Sequence, residues 1–172
     1  MPAVELVPYS TAWPAAFQAI EGELRAAFAP ARVAIEHIGS TAVEGLVAKP
    51  VIDVLMGAGS LKAVEQRIDA LAALGYAYRP AYEQQIPERR YFVRSRAGEL
   101  RVHLHAVVRD APLWRSHLAF RDALREDPAL RAAYQTLKCR LASEHADDKA
   151  RYTAAKAPFV QRVLAGRVPH GV

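Results

Sequence analysis

The chain has 172 residues, of which 52% are hydrophobic and 24% charged, and it carries a formal charge of +5 at neutral pH. That length suits one domain with a core that needs no staples, and the composition excludes a disordered tail. No run reaches the about 20 apolar residues of a membrane span, and the single Cys139 excludes both an internal disulfide framework and a multi-cysteine zinc site.

Met1 to Tyr9 lacks the basic region and apolar block of a signal peptide, so a cytoplasmic protein is expected. Val4 to Val7 reads as a short strand. Ser10 and Thr11 before Trp13-Pro14 form a helix start, and Phe17, Ile20, Leu24 and Phe28 continue it at helical spacing until Pro30. Val33 to Ile38 is expected to be a strand, broken by Gly39-Ser40-Thr41. Val51 to Met56, nearly all apolar, is a second and interior strand. Ser60 caps a helix carrying Leu61, Val64, Ile68, Leu71 and Leu74, which ends at Gly75.

Tyr76 to Arg79 is a third strand, and Pro80 to Pro87 a loop. Arg90 to Arg94 and Leu100 to Val108 read as a hairpin around Arg96-Ala97-Gly98. The second arm alternates, with Leu104 and its neighbours on one face and Arg101, His103, His105 and Val107 on the other. Three helices follow, from Leu113, from Asp127-Pro128 and from Asp147 or Asp148. This order implies an α/β (α+β) domain over residues 1–166, a small mixed β-sheet flanked by helices with a C-terminal helical layer, followed by a frayed tail over 167–172.

Two constellations could carry chemistry. In the first, Gly39 permits close backbone approach to a ligand, Ser40 and Thr41 add hydroxyls, and Lys49 adds a point charge suited to phosphate. Asp53, a carboxylate in an apolar strand, could hold Mg²⁺ against that phosphate, or could pair with an arginine or Lys49. In the second, His103 and His105 share a strand face that Asp53 could also occupy, making Asp53, His103 and His105 a candidate set of divalent-metal ligands or catalytic groups. The same pattern also suits an ordinary polar sheet face. His37 enters the Gly-Ser turn. Arg89, Arg90, Lys138, Lys149 and Lys156 are further cations able to close over an anion, or to remain solvated. Cys139 lies among Leu137 and Leu141 and reads as a bystander. The Gly-x-Ser-x-Gly, P-loop and His-Glu-x-x-His patterns are absent.

The chain resembles the GrpB family of bacterial proteins. The resemblance rests on Val4-Glu5-Leu6-Val7-Pro8-Tyr9, Trp13-Pro14, the run Glu36 to Val43, Lys49-Pro50-Val51-Ile52-Asp53, Arg90-Tyr91-Phe92, His103-Leu104-His105, Leu118 to Asp122, and Tyr152-Thr153 with Lys156 and Phe159. The GrpB family is in turn similar to the nucleotidyltransferase superfamily, which implies a nucleotidyltransferase-like fold. Gly39-Ser40 matches its turn and Asp53 its second aspartate. Val51 stands where the first aspartate is expected, and the strand bearing His103 and His105 offers no third acid.

The resemblance implies a nucleotide or other phosphorylated small molecule bound by His37, Gly39, Ser40, Thr41, Lys49, Arg90 and Lys156. It also implies Mg²⁺ or another divalent metal at Asp53, His103 and His105, and nucleotidyl or phosphoryl transfer if the protein is an enzyme. The incomplete acid set supports a second expectation, a non-catalytic binding or interaction module that kept the fold. Relatives also occur as a domain appended to dephospho-CoA kinase. Scattered arginines and only 8% aromatic residues argue against a stacking platform for nucleic acid.

Overall fold

A computed structural model describes residues 4–166; the tail expected over 167–172 lies outside them. Helix α1 spans Ala12–Phe28, where Trp13, Ile20, Leu24 and Phe28 recur at helical spacing and are all buried. Strand β1 spans Ala34–Ile38, and a tight 3₁₀ turn over Ser40–Ala42 leads toward β2, Val51–Ala58. The strand expected at Val4 to Val7 is reduced to one bridge between Val7 and Ala48.

The helix expected from Ser60 to Leu74 is two short ones, α2 (Leu61–Glu65) and α3 (Ile68–Ala73). The backbone leaves helical geometry at Arg67, with φ −111° and ψ 10°. Val64 and Leu71 are nevertheless buried in one cluster, so each piece satisfies the same apolar stripe and periodicity cannot reveal the break. Ser60 caps α2 as expected, its Oγ accepting from the Ala63 amide at 3.1 Å. Gly75 ends α3 at φ +87°, the left-handed geometry of a helix stop.

Strand β3 covers Tyr76–Tyr78, β4 Arg89–Arg94 and β5 Arg101–Val108. The sheet order is β1-β2-β5-β4-β3. The expected hairpin is present as the antiparallel β4–β5 pair, while β2 and β5 run parallel, making the sheet mixed. Two helical layers cover it. α1, α2 and α3 pack on the face carrying Ile52, Val54, Phe92 and Leu104, all fully buried. On the other face α4 (Pro112–Glu126) docks Trp114 against Ile38, Leu55 and Val107.

Helices α5 (Pro128–Glu144) and α6 (Lys149–Ala165) pack on α4 and on the segment after the 3₁₀ turn, burying Val43, Leu46, Leu124 and Tyr134. Asp127 caps α5 through the Ala129 and Leu130 amides, and Asp148 caps α6 through the Arg151 amide.

The docking of α4 depends on a missing side chain. A Cβ on Gly57 would stand 2.8 Å from the Trp114 ring. Gly57→Ala should therefore push α4 off β2 and lower unfolding stability by about 1–3 kcal/mol, the usual cost of overpacking. Urea denaturation reads this directly, and unchanged stability would contradict the Trp114 contact.

Candidate functional site

Strand parity assembles the site. Asp53 on β2 is level with His103 on β5, and Tyr91 on β4 is level with His105. Side chains alternate between faces, so Asp53, His103, His105, Arg89 and Tyr91 share the face covered by α4 to α6. Asp53 Oδ1 stands 3.2 Å from His105 Nε2 and 3.4 Å from His103 Nδ1. The convergence expected of these three residues is present.

Arg89 defines the protonation of His105. Its Nη1 lies 3.3 Å from His105 Nδ1. A guanidinium only donates, so Nδ1 accepts, and the His105 proton sits on Nε2 and is donated to Asp53. Burial pushes the His105 imidazole below its ordinary value, and the Arg89 charge adds to this against the pull of Asp53. Burial alone would raise the Asp53 carboxyl, but the hydrogen bonds from His103 and His105 outweigh it and hold the group well below the usual carboxylate range.

The other oxygen of Asp53 faces the turn. Gly39 has φ +75°, and a Cβ there would stand 2.7 Å from Asp53 Oδ2. Glycine meets both demands. Its neighbours point different ways. Ser40 Oγ accepts from Lys138 Nζ at 2.7 Å. Thr41 is buried; its hydroxyl donates to the Val51 carbonyl at 3.1 Å and so accepts from His37 Nε2 at 2.9 Å.

Lysines crowd the same region. Lys138 is 2% exposed and also donates to the Val47 carbonyl. Lys49 and Lys156 place their ammonium groups 4.9 and 4.4 Å from the centre of the buried Tyr152 ring. Among the described residues none of these three lysines forms an ion pair. Burial, then repulsion by Lys156, pushes Lys138 down to about 7. Burial, then repulsion by Lys49, pushes Lys156 down to about 8. Lys49 is lowered by burial and by Lys149. The Tyr152 hydroxyl, His103 Nε2 and Arg89 Nε are buried without a hydrogen-bond partner.

Of the residues singled out in the sequence, Asp53, His103, His105, Gly39, Ser40, Lys49 and Lys156 come together. Two do not. Arg90 shares the opposite face with the buried Phe92 and pairs with Glu65 at 2.8 Å and Glu83 at 3.5 Å. His37 faces away from Asp53 and stacks on Phe17 with ring centres 4.9 Å apart. Four participants were not among the site residues derived from the sequence. Arg89 and Lys138 were general cations there, Tyr152 entered through the family resemblance, and His117, with its ring 5.7 Å from that of His105, was given no role.

The donor set does not fit Mg²⁺. Mg²⁺ asks for oxygen ligands around an octahedron, and only Asp53 offers a carboxylate here. Both nitrogens of His105 are already engaged. Among the described residues no group of three His, Cys, Asp or Glu side chains is placed to hold a metal ion. Lys49, Lys138, Lys156 and Arg89 around one carboxylate favour an anion instead.

The family model described as GrpB protein matches residues 3–166. The chain belongs to the GrpB family. The Glutamate-rich protein GrpB of Alkalihalophilus pseudofirmus is 33% identical over 94% of this chain and 94% of its own length. The UPF0157 protein YqkA of Bacillus subtilis is 36% identical over 92% of this chain, which spans 45% of that protein's length. A Dephospho-CoA kinase of Mycobacterium tuberculosis is 31% identical over 90% of this chain and 43% of its own length. The crystal structure of the conserved protein GrpB from Enterococcus faecalis superposes with a TM-score of 0.83, at 31% identity, over 94% of this chain and 96% of that one. The mixed sheet and its helical layers are therefore the fold of a GrpB protein.

Two measurements check the electrostatics. In nitrogen NMR, the His105 ring should show an unprotonated Nδ1 and a protonated Nε2 at neutral pH, and the reverse tautomer would contradict the Arg89 contact. The second concerns Lys138, whose folded value of about 7 lies below the ordinary lysine value of 10.5. The folded state then binds fewer protons than the unfolded state between those values, so stability rises with pH across that window. Urea unfolding in phosphate-free buffer at pH 7, 8 and 9 should show a rise of order 1 kcal/mol per pH unit. Lys138→Met should remove the larger part of it and leave a smaller rise from Lys156, whose folded value is about 8.

Proposed function

We propose that this GrpB domain binds a phosphate-bearing small molecule, with a nucleotide first among the candidates, on the Asp53 face of its sheet. The observation that carries this reading is the set of lysines 49, 138 and 156, half-buried to fully buried and without carboxylate partners, gathered around the Tyr152 ring and Ser40. Desolvated cations without counter-charges are costly to keep, and an arriving polyanion would supply what they lack. Lys49 and Lys156 contact the phosphate, and Lys138 holds Ser40 and the turn in place. The resemblance of Gly39-Ser40 and Asp53 to the nucleotidyltransferase pattern favours a nucleotide among phosphate-bearing ligands.

The binding requires no divalent metal, and no transfer step is assigned. Metal-assisted nucleotidyl transfer needs acids to hold Mg²⁺ against the triphosphate and the attacking hydroxyl. Val51 occupies one of those positions, and β5 offers His103 and His105 in place of another acid. Asp53 serves instead as the fixed negative wall that holds the lysines and histidines in register.

The test is calorimetric titration with inorganic phosphate, AMP and ATP, each with and without Mg²⁺. The wild type should bind at least one of them without metal. Lys156→Ala should weaken that binding about 10- to 100-fold, the loss of one charge-assisted hydrogen bond. Absence of binding by every probe, or binding seen only with Mg²⁺, would sink this reading.

A further inference from the structure

We infer that the domain carries a second ligand site at the β1 edge of the sheet, built for a small amphipathic anion: an aromatic ring bearing a phosphate or carboxylate. A cleft of about 740 Å³ opens there between α1, the Ser40–Ala42 turn and helices α4 and α5, within the roughly 300–1,000 Å³ typical of small-molecule sites. Its two walls differ in chemistry. Pro14, Phe17 and His37 make the apolar side, and Arg121, Arg125 and Arg131 the basic side.

The apolar wall is aromatic and uncharged. His37 lies nearly parallel to Phe17, with an interplanar angle of 9°. Burial, and then the Arg125 charge, push its imidazole down to about 4. Its Nε2–H is spent on Thr41, so at neutral pH the ring offers a flat face.

The basic wall is fixed, and of its three arginines Arg121 alone is neutralised, by Glu36 and by Asp122 at 2.8 Å. Three carboxylates line the cleft. Glu36 is taken by Arg121 at 2.6 Å, Glu21 by Arg25 at 2.6 Å, and Glu44 is exposed. Arg125 holds the Ala42 carbonyl through Nε at 2.9 Å, and Arg131 holds the Leu124 carbonyl through Nη1 at 3.1 Å. Neither forms an ion pair among the described residues. Each guanidinium has five N–H donors, so both keep donors to spare while their position is set by backbone contacts. An acid group on these arginines would place an attached ring against Phe17 and His37.

The cleft is distinct from the lysine cluster. Thr41 and Ala42 line it, whereas Ser40 reaches Lys138. One short turn therefore separates two anion-seeking surfaces, and a ligand on one is not a ligand on the other.

Residue-resolved amide NMR titration tests this, with phenyl phosphate and benzoate as probes and inorganic phosphate and phenol as half-probes. At least one full probe should shift the amides of Phe17, His37, Thr41 and Arg125 saturably and bind at least tenfold more tightly than either half-probe. Arg131→Gln should weaken it at least tenfold. Gln18→Trp, at an exposed lining position on α1, should do the same by filling the cleft without touching an arginine. Thermal unfolding confirms that both variants are folded. Lys156→Ala should leave this affinity unchanged, so failure of the lysine site and failure of the cleft are read separately. Shifts confined to residues around Lys49 and Lys156, no saturable shift at the four named amides, or full affinity in both cleft variants would overturn the inference.

Discussion

The Asp53 carboxylate stands on β2 between Ile52 and Val54, both fully buried, and has to be satisfied on a sheet face where water reaches only part of it. An ionised group in that position is tolerable only with donors at hydrogen-bond distance. His103 and His105 supply them from the neighbouring strand because β2 and β5 pair in parallel and in register. The remaining oxygen abuts Gly39, which fixes how closely the β1–β2 connection approaches the strand. Next to Gly39, Ser40 accepts from Lys138, and that bond, with the one to Val47, ties α5 to the turn. One carboxylate thus sets the spacing of a strand pair, a turn and a helix.

The same arrangement decides which ions the face would accept. Coulomb attraction between unit charges 4 Å apart is about 4 kcal/mol at the effective dielectric of a protein surface, so one carboxylate cannot compensate three lysines and an arginine. Aromatic rings take part of the load. Lys49 and Lys156 lie over Tyr152, Lys138 over Tyr134 and Arg89 over Tyr91, each such contact being worth about 0.5–2 kcal/mol. The rings hold the cations without neutralising them, and the local field stays positive.

Much of this was legible in the sequence, and the failures follow from what sequence patterns can encode. Period-two alternation put Asp53, His103 and His105 on matching faces, and the structure brings them within 3.4 Å. Arg89 and Arg90 differ by one residue, and thus by a face. Phe92, fully buried against α1 to α3, anchors the parity that puts Arg90 with it and Arg89 with His105. That signal was available in the apolar neighbour. The partner of Lys138 was not. It lies 98 residues away at Ser40, and helix periodicity marks only that residue's phase on α5. The parallel β2–β5 register is equally non-local, since β3 and β4 intervene in the chain and stand outside β5 in the sheet.

The position of the cluster along the strands explains why its cations come from where they do. Asp53 and His103 each stand third in their strands, near the amino ends of β2 and β5. Open α/β sheets commonly bind ligands beyond the carboxyl ends, where strand-to-helix loops converge. At the amino ends of β2 and β5 the nearest chain is the β1–β2 connection, which contributes Ser40 and Lys49. The cover is the C-terminal helical layer, which contributes Lys138 and Lys156. Positive potential at this end therefore has to be carried by side chains reaching in from separate elements. Their convergence depends on α5 and α6 staying docked, and the Ser40–Lys138 bond is what couples that docking to the turn beneath Asp53.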